Sequence, residues 1–285
     1  MISIIICSKS CDLFSQVVKN IADTIGCTYE ILFKDNLITT NSISEVYNRL
    51  YEKAAYEHLL FVHEDLKFLS NNWGEKLVNL MNENNVGLVG LSGSTYKSNY
   101  PAIWSASKEN GFRFSGNQYN RNHFPQQTQK YHEVAVIDGC FMASKKTVFS
   151  KYLFDENLHN FHGYDIDLSI NIGKNYKILV ADDIDFFHYS SGVQNQDWLL
   201  ASLYVHKKWK KELPRIVGDI SQNESQENDY IALQNIYRVN FLLKTSLYQI
   251  IYCYGLFIIK YFKFNKFKYT KKTLQYVLLR HWSNS

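Results

Sequence analysis

The sequence predicts an α/β fold, with a mainly parallel sheet flanked by helices and a C-terminal helical tail. Three observations carry that prediction. Over the first 90 residues, apolar runs of strand length alternate with apolar residues at helical spacing. The strand candidates are continuously apolar rather than alternating, as strands covered by helices on both faces are. Residues 230–285 carry nine basic residues and no acidic one, which sets a basic tail apart from an acidic body. With 285 residues, 46% of them hydrophobic and 20% charged, the chain has ample material for a packed core and lacks the composition of a disordered one.

Ile2–Cys7 is the first buried strand. Residues 11–25 place Leu13, Phe14, Val17, Val18, Ile21 and Ile25 at helical spacing, and Gly26 sits where a C-terminal cap belongs. Tyr29–Phe33 is the second strand. Ser42 and Glu45 form a capping box that opens a helix with Ile43, Val46, Tyr47, Leu50, Tyr51 and Ala54 on one face. His58–Val62 is the third strand, Trp73–Met81 a helix, and Val86–Leu91 the fourth strand. This succession predicts parallel pairing through right-handed crossovers. Residues 92–132 are polar and aperiodic, rich in Asn, Ser and Tyr, and read as a functional loop region. Strands follow at Glu133–Ile137 and Cys140–Ser144, then a short helix near Asp165–Ile172 and a strand at Lys177–Ala181. Residues 195–211 form a helix with Trp198, Leu199, Ser202, Leu203, His206 and Trp209 on one side. Residues 218–229, GDISQNESQEND, are polar and read as a linker between a body (1–217) and a tail (230–285).

The five cysteines, Cys7, Cys11, Cys27, Cys140 and Cys253, are odd in number and form no CxxC pair, so the expectation is a reducing compartment without disulfides. The N-terminal apolar run is too short for a signal peptide and lacks basic flanks, which places the body in the cytoplasm as an expectation.

In a parallel α/β sheet, ligands bind at the carboxyl ends of the strands. Ser8, Asp35, His63-Glu64-Asp65, Asp138-Gly139 and His188 all fall there. In VHEDL, His63 and Asp65 are two residues apart, so an extended chain presents an imidazole and a carboxylate on one side. A carboxylate so placed suits Mg²⁺ or Mn²⁺ holding a diphosphate; the bland alternative is a solvated acidic turn. In FHGYDIDL, Asp165 and Asp167 open a helix, where an acid is either a cap or a general base. His188, in FFHYSSG, is a core histidine unless Asp65 joins it at a metal. The aromatic residues Tyr96, Tyr100 and Trp104 of the polar region form either an acceptor platform or a cover over the sheet.

Taken in order, SIIICS, SEVYNRLYEKA with Asn48, VHEDL, VIDGCFMASKKTVF, FDENLHNFHGYDIDL and FFHYSSG resemble the GT-A-type glycosyltransferases of family 2, nearest the streptomycin-biosynthesis-type branch. The resemblance runs from about Ile2 to Trp209. It implies a GT-A fold and transfer of a sugar from a nucleotide-sugar donor, UDP-linked by default, to a glycan or lipid-linked acceptor. Ser8 and Asp35 match nucleoside-contacting positions, and Asn48, His63, Glu64, Asp138 and Gly139 belong to the donor side. VHEDL stands where the family usually has D-x-D, so Asp65 would bind the Mn²⁺ or Mg²⁺ and His188 would complete the site, while His63 departs from the common pattern. Asp165 matches the acid that deprotonates the acceptor in inverting members, with Glu156 and Asp167 as competitors. A metal-dependent hydrolase using His63, Asp65 and His188 is the alternative enzyme, although the chain has no HExxH. A non-catalytic membrane- or RNA-binding module is the third reading.

Between Lys244 and Lys260 lie fifteen uncharged residues, short of the roughly 20 that a spanning helix needs. The expectation is a helix lying in the membrane interface, with the run KYFKFNKFKYTKK against anionic lipid and no nucleic acid as partner. A packed helical hairpin is the alternative. On the membrane reading the protein is peripheral on the inner face of the plasma membrane, works in polysaccharide biosynthesis, and has a tail separable from its catalysis.

Overall fold

The computed structural model describes residues 1–37, 41–107, 111–112, 130–190 and 192–260. Strands β1 (Ile2–Ser8), β2 (Tyr29–Asp35) and β3 (His58–Val62) alternate with helices α1 (Cys11–Thr24) and α2 (Ile43–Tyr51). All three strands pair in parallel through β1. β1 is buried along its whole length, and its side chains divide by period two. Ile4 and Ile6 pack with Val17, Ile21, Leu60 and Val62 on one face, while Ile5 and Cys7 pack with Val46, Tyr47, Leu59 and Phe61 on the other. The capping box at Ser42 and Glu45 forms as expected: each side chain accepts a backbone N–H of the other residue.

Next come β4 (Leu66–Phe68), α3 (Trp73–Met81), β5 (Val86–Gly90) and the short strands β6 (Gly93–Ser94), β7 (Tyr96–Lys97), β8 (Gly111–Phe112), β9 (Tyr131–Glu133) and β10 (Val136–Ile137). The expected strand at 133–137 is thus split in two. β11 (Phe141–Lys145) is followed by α4 (Lys146–Phe149), α5 (Tyr164–Gly173), β12 (Lys177–Ala181), β13 (Phe186–His188) and α6 (Gln196–Lys208). The main sheet has the order β2-β1-β3-β11-β5-β12-β9. It corrects the expectation of uniformly parallel pairing between β3 and β5. β11 lies between them and runs antiparallel to both, and β9 is antiparallel at the edge. The consequence is local: β11 starts where β3 ends, so the His63 N–H donates to the Cys140 carbonyl at 2.9 Å. The turn before β11, Asp138-Gly139, is thereby brought beside His63.

Beyond α6, β14 (Arg215–Ile216) pairs with β7. The polar segment expected as a linker is helical from Gln222: α7 (Gln222–Leu242) starts at a second capping box, Ser221 with Glu224. Asp229 accepts from Tyr96 Oη at 2.9 Å and from Ser98 Oγ at 2.6 Å. Ala232 packs on Ala102 and Ala106, and Leu233, Ile236 and Val239 pack with Leu199 of α6. A tight turn then leads to α8 (Leu247–Lys260), which packs back on α7. Within the described residues the tail is therefore a hairpin docked on the body, and no described helix is long and apolar enough to cross a membrane. The basic run from Tyr261 onward lies outside the described residues.

Candidate active site

A cleft of about 1580 Å³ opens along the carboxyl ends of the strands. It runs from Lys9, Asn36 and Leu37 at the ends of β1 and β2, over His63, Asp138, Asp165 and His188, to Trp198 of α6 and Arg238 of α7.

Two of its lining residues, His63 and His188, form a cluster with Asp65. β4 and β13 pair so that His188 lies opposite Leu66, and the Tyr189 N–H donates to the Asp65 carbonyl at 3.0 Å. One ligand atom from each of His63, Asp65 and His188 lies within 4.8 Å of the others. His188 Nε2 is 3.2 Å from Asp65 Oδ1 but off the line of a hydrogen bond, and this buried nitrogen has no hydrogen-bond partner among the described residues. Burial pushes the Asp65 carboxyl up, yet His188 and the charge of both imidazoles outweigh it and hold it below its ordinary range. Burial lowers His188, and contact with Asp65 outweighs that and raises it.

The tautomer of His63 is tied to the proton of Tyr164. Tyr164 Oη donates to the Gly139 carbonyl at 3.2 Å and stands 2.6 Å from His63 Nε2. A phenol has one proton, so when it goes to Gly139, His63 Nε2 carries the hydrogen of the shorter contact and leaves the Nδ1 lone pair, 3.9 Å from Asp65, free to ligate. Burial favours this neutral ring by lowering its pKa. Once His188 gives up the proton that Asp65 favours, two imidazole nitrogens and a carboxylate oxygen suit a divalent transition ion, and a hydrogen-bonded imidazole is the usual support for such a ligand.

Asp165 opens α5, and its carboxylate accepts from the Gly139 N–H at 3.2 Å. Gly163, the residue before this helix, has φ of 80°; the left-handed conformation suits glycine and turns the chain into the helix. Burial, then the neighbouring Asp138 charge, push Asp165 up to about 7. Asp138 accepts from Trp104 Nε1 and, at 2.8 Å, from the Cys140 N–H. Beneath them lies Lys97, 1% exposed, whose ammonium donates to the Ala102 carbonyl at 2.6 Å. Burial pushes this ammonium down to about 7, against the pull of Asp165.

The remaining expected residues divide. Ser8 and Glu64 meet each other, with Ser8 Oγ donating to Glu64 at 2.6 Å, and Glu64 also accepts from the N–H groups of Lys9 and Ser10. Glu64 thus holds the β1–α1 turn at the cleft edge. Asp35 is exposed at the end of β2, where it accepts from the Leu37 N–H. Asn48 is not brought to the cleft: its amide clamps the backbone of Phe154 in both directions and donates to Glu156. Glu156, one competitor for the base, is held in that clamp. Asp167, the other, is buried, and accepts from Lys208 at 2.9 Å and Trp209 Nε1 at 2.7 Å. Of the three aromatic residues, Trp104 lines the cleft, Tyr96 is buried against α7, and Tyr100 packs with α6 and α7. Lys97, Tyr164 and Arg238 were not among the expected residues. Only Tyr164 had a signal, its place beside Asp165 in GYDID.

Residues 3–214 match the glycosyltransferase-like family. The chain belongs to this family. It is a glycosyltransferase of GT-A fold, with a mostly parallel central sheet flanked by helices, as its structural neighbours also have. A structure of Staphylococcus aureus TarS, residues 1–349, has a TM-score of 0.53 at 13% identity, over 91% of this chain and 80% of that one. The mannosyltransferase PcManGT from Pyrobaculum calidifontis, in complex with GDP-Man and Mn²⁺, has a TM-score of 0.52 at 10% identity, over 97% and 84%. GalNAc-T7 with UDP, GalNAc and Mn²⁺ has a TM-score of 0.52 at 11% identity, over 67% of this chain and only 43% of that chain. No curated protein matches the sequence.

Proposed function

We propose that this glycosyltransferase moves a sugar from a UDP-linked donor to the hydroxyl of a glycan or lipid-linked acceptor, with inversion at the anomeric carbon. The observation that carries the reading is one cleft lined both by His63 and His188, which cluster with Asp65, and by Asp165. Structural neighbours solved with Mn²⁺ and a nucleotide or nucleotide-sugar support the metal and donor part of this reading. His63, Asp65 and His188 would hold Mn²⁺ or Mg²⁺, with the two imidazoles favouring Mn²⁺. When bound, such an ion supplies charge neutralisation for the departing diphosphate.

The rest is the work of the chain. Ser8 and Glu64 fix the β1–α1 turn and Asp35 stands at the end of β2, next in the chain to Lys9, Asn36 and Leu37, which line the end of the cleft that would take the nucleoside. Asp165 accepts the proton of the acceptor hydroxyl. The acceptor oxygen bonds to the anomeric carbon as the bond from that carbon to the diphosphate oxygen breaks, through an oxocarbenium-like transition state. A carboxyl pushed up to about 7 is half-ionised near neutrality and a stronger base than an ordinary Asp. One carboxylate acting once inverts the centre.

The histidine at the first position of the metal motif and the GYDID sequence favour the streptomycin-biosynthesis-type branch. The exposed apolar side chains of α8 and the basic run beyond it favour a peripheral site on the cytoplasmic face of the plasma membrane and a role in polysaccharide synthesis. Incubating the protein with UDP-sugars, Mn²⁺ and a panel of saccharide acceptors, and reading the product by NMR, tests the reaction. Transfer with inversion is expected; a product that keeps the donor configuration refutes the single displacement.

A further inference from the structure

Helix α7 builds one wall of the cleft, although its sequence reads as tail. Asn235, Arg238 and Leu242 are three and four residues apart, hence on one face of the helix. Asn235 exchanges hydrogen bonds with the cleft-lining Gln194, at 3.2 and 3.4 Å, which turns this face inward. Arg238 follows, exposed and lining the cleft, with no hydrogen-bond or ion-pair partner among the described residues. Leu242 follows that, lining the cleft and yet 63% exposed. A rise of 1.5 Å per residue separates the cation from the leucine by about 6 Å along the axis. Past the turn, Tyr248, Ile251 and Tyr252 of α8 are 77%, 50% and 57% exposed. The wall therefore presents polar amides, then a lone guanidinium, then apolar surface.

We propose that the acceptor is a phosphate-bearing amphiphile, a saccharide joined through phosphate to a hydrocarbon chain, and that Arg238 is the residue that selects it. The saccharide hydroxyl lies toward Asp165, the phosphate meets Arg238, and the chain leaves over Leu242 toward α8. A guanidinium matches a phosphate with two parallel hydrogen bonds, which a neutral headgroup does not offer. The unpaired, exposed state of Arg238 is what such a subsite needs before its ligand arrives. Which hydroxyl reacts rests on the function proposed above; the subsite itself does not.

Trp104 and Trp198 line the cleft, so tryptophan fluorescence reports binding in the full chain with UDP and Mn²⁺ present. Three probes separate the sources of affinity: dodecyl phosphate, dodecyl glucoside and glucose 1-phosphate, each below its micellar concentration. Dodecyl phosphate is expected to bind roughly tenfold tighter than either of the others. Arg238→Gln brings it down to the level of dodecyl glucoside, Arg238→Lys restores part of the difference, and Leu242→Ser weakens dodecyl phosphate while leaving glucose 1-phosphate unchanged. Both positions are exposed, so folding is not at stake. Equal binding of dodecyl phosphate and dodecyl glucoside overturns the anion subsite. Equal binding of dodecyl phosphate and glucose 1-phosphate leaves a site for free phosphate and overturns the amphiphile, and indifference to Arg238→Gln overturns its role. UDP affinity in Mn²⁺, measured alongside, reports on the donor: its absence with dodecyl phosphate binding intact sinks the transferase reading and not this one.

Discussion

Replacing Asp165 by Asn separates catalysis from folding, because the two effects have opposite signs. Asn keeps the shape of Asp and can still accept from the Gly139 N–H, but it cannot take a proton. Turnover should fall by roughly 10²- to 10⁴-fold, the usual worth of a placed general base. Stability should rise. Burial and the Asp138 charge push Asp165 from the ordinary 3.8 to about 7, so the fold prefers the protonated form and ionisation costs it free energy. The gap corresponds to an upper bound of about 4 kcal/mol at 1.36 kcal/mol per pH unit, reduced by the part of the carboxylate that faces the open cleft. The sign follows from linkage. Below pH 3.8 both states are protonated and the variant gains nothing from charge removal. Between 3.8 and about 7 the unfolded chain ionises first, and the native protein loses stability relative to the variant. Above about 7 the difference is constant. Urea unfolding of both proteins at pH 4, 6 and 8, beside turnover at pH 8, reads both effects. A variant no more stable at pH 8 than at pH 4, relative to wild type, refutes the account of burial and like charge. Activity within tenfold of wild type removes Asp165 from the role of base.

Asp65→Asn should weaken UDP binding in Mn²⁺ by roughly 10- to 100-fold while metal-free binding and thermal stability hold, as calorimetry would show; an unchanged affinity in Mn²⁺ removes Asp65 from the metal site. In Gly139→Ala the new Cβ would lie 2.4 Å from Tyr164 Oη, so Tyr164 should leave His63, and Mn²⁺ affinity should drop about tenfold; affinity equal to wild type would disconnect that phenol from the cluster. Asp229→Ala removes the acceptor of Tyr96 and Ser98 and should cost about 2 kcal/mol, with faster amide exchange in α7 than in β1; uniform exchange would deny α7 its separate docking. Deleting residues 230–285 should abolish transfer even to a water-soluble acceptor, since it removes Arg238, Val239 and Leu242 from the cleft wall; full activity in the truncated protein would make the wall dispensable.

Most of the scaffold was legible because its signals are local. Continuous apolar runs such as IIIC and HLLFV mark strands covered on both faces, and Ser42 with Glu45 marks a helix start within two turns of sequence. The direction of β11 was not legible. FMASK has the same pattern whichever way it runs, and only the Asp138-Gly139 turn in space shows that it enters between β3 and β5 reversed. The strand-end rule located Ser8, His63, Asp65, Asp138 and His188, because every such residue follows an apolar run. It also swept in Glu64, which holds the β1–α1 turn, while Asn48, expected from the family resemblance, sits inside α2 and clamps the backbone of Phe154. Lys97 was invisible for the opposite reason. In SGSTYKSNY a lysine reads as a solvated loop, and its burial exists only once β7 pairs with β14 and α7 closes over Tyr96.

That closure changes what the tail is. The charge asymmetry at Asp229 is a property of the sequence, but Asp229 itself is the acceptor that fastens α7 to Tyr96 and Ser98, the neighbours of Lys97. The strand that carries the buried amine near the proposed base is therefore the one to which the tail is tied. The loop that follows it reaches Trp104, and Trp104 donates to Asp138, whose charge raises Asp165. A short chain of contacts thus joins α7 to the proposed base. Docking the tail and building the cleft are then one packing problem: the helix that leads to the apolar, basic end of the chain is also the helix that gives the cleft its far wall. If that end rests on a membrane, the open side of the cleft and the lipid surface are linked through a single helix, and an acceptor with one end in each environment is the substrate this geometry fits.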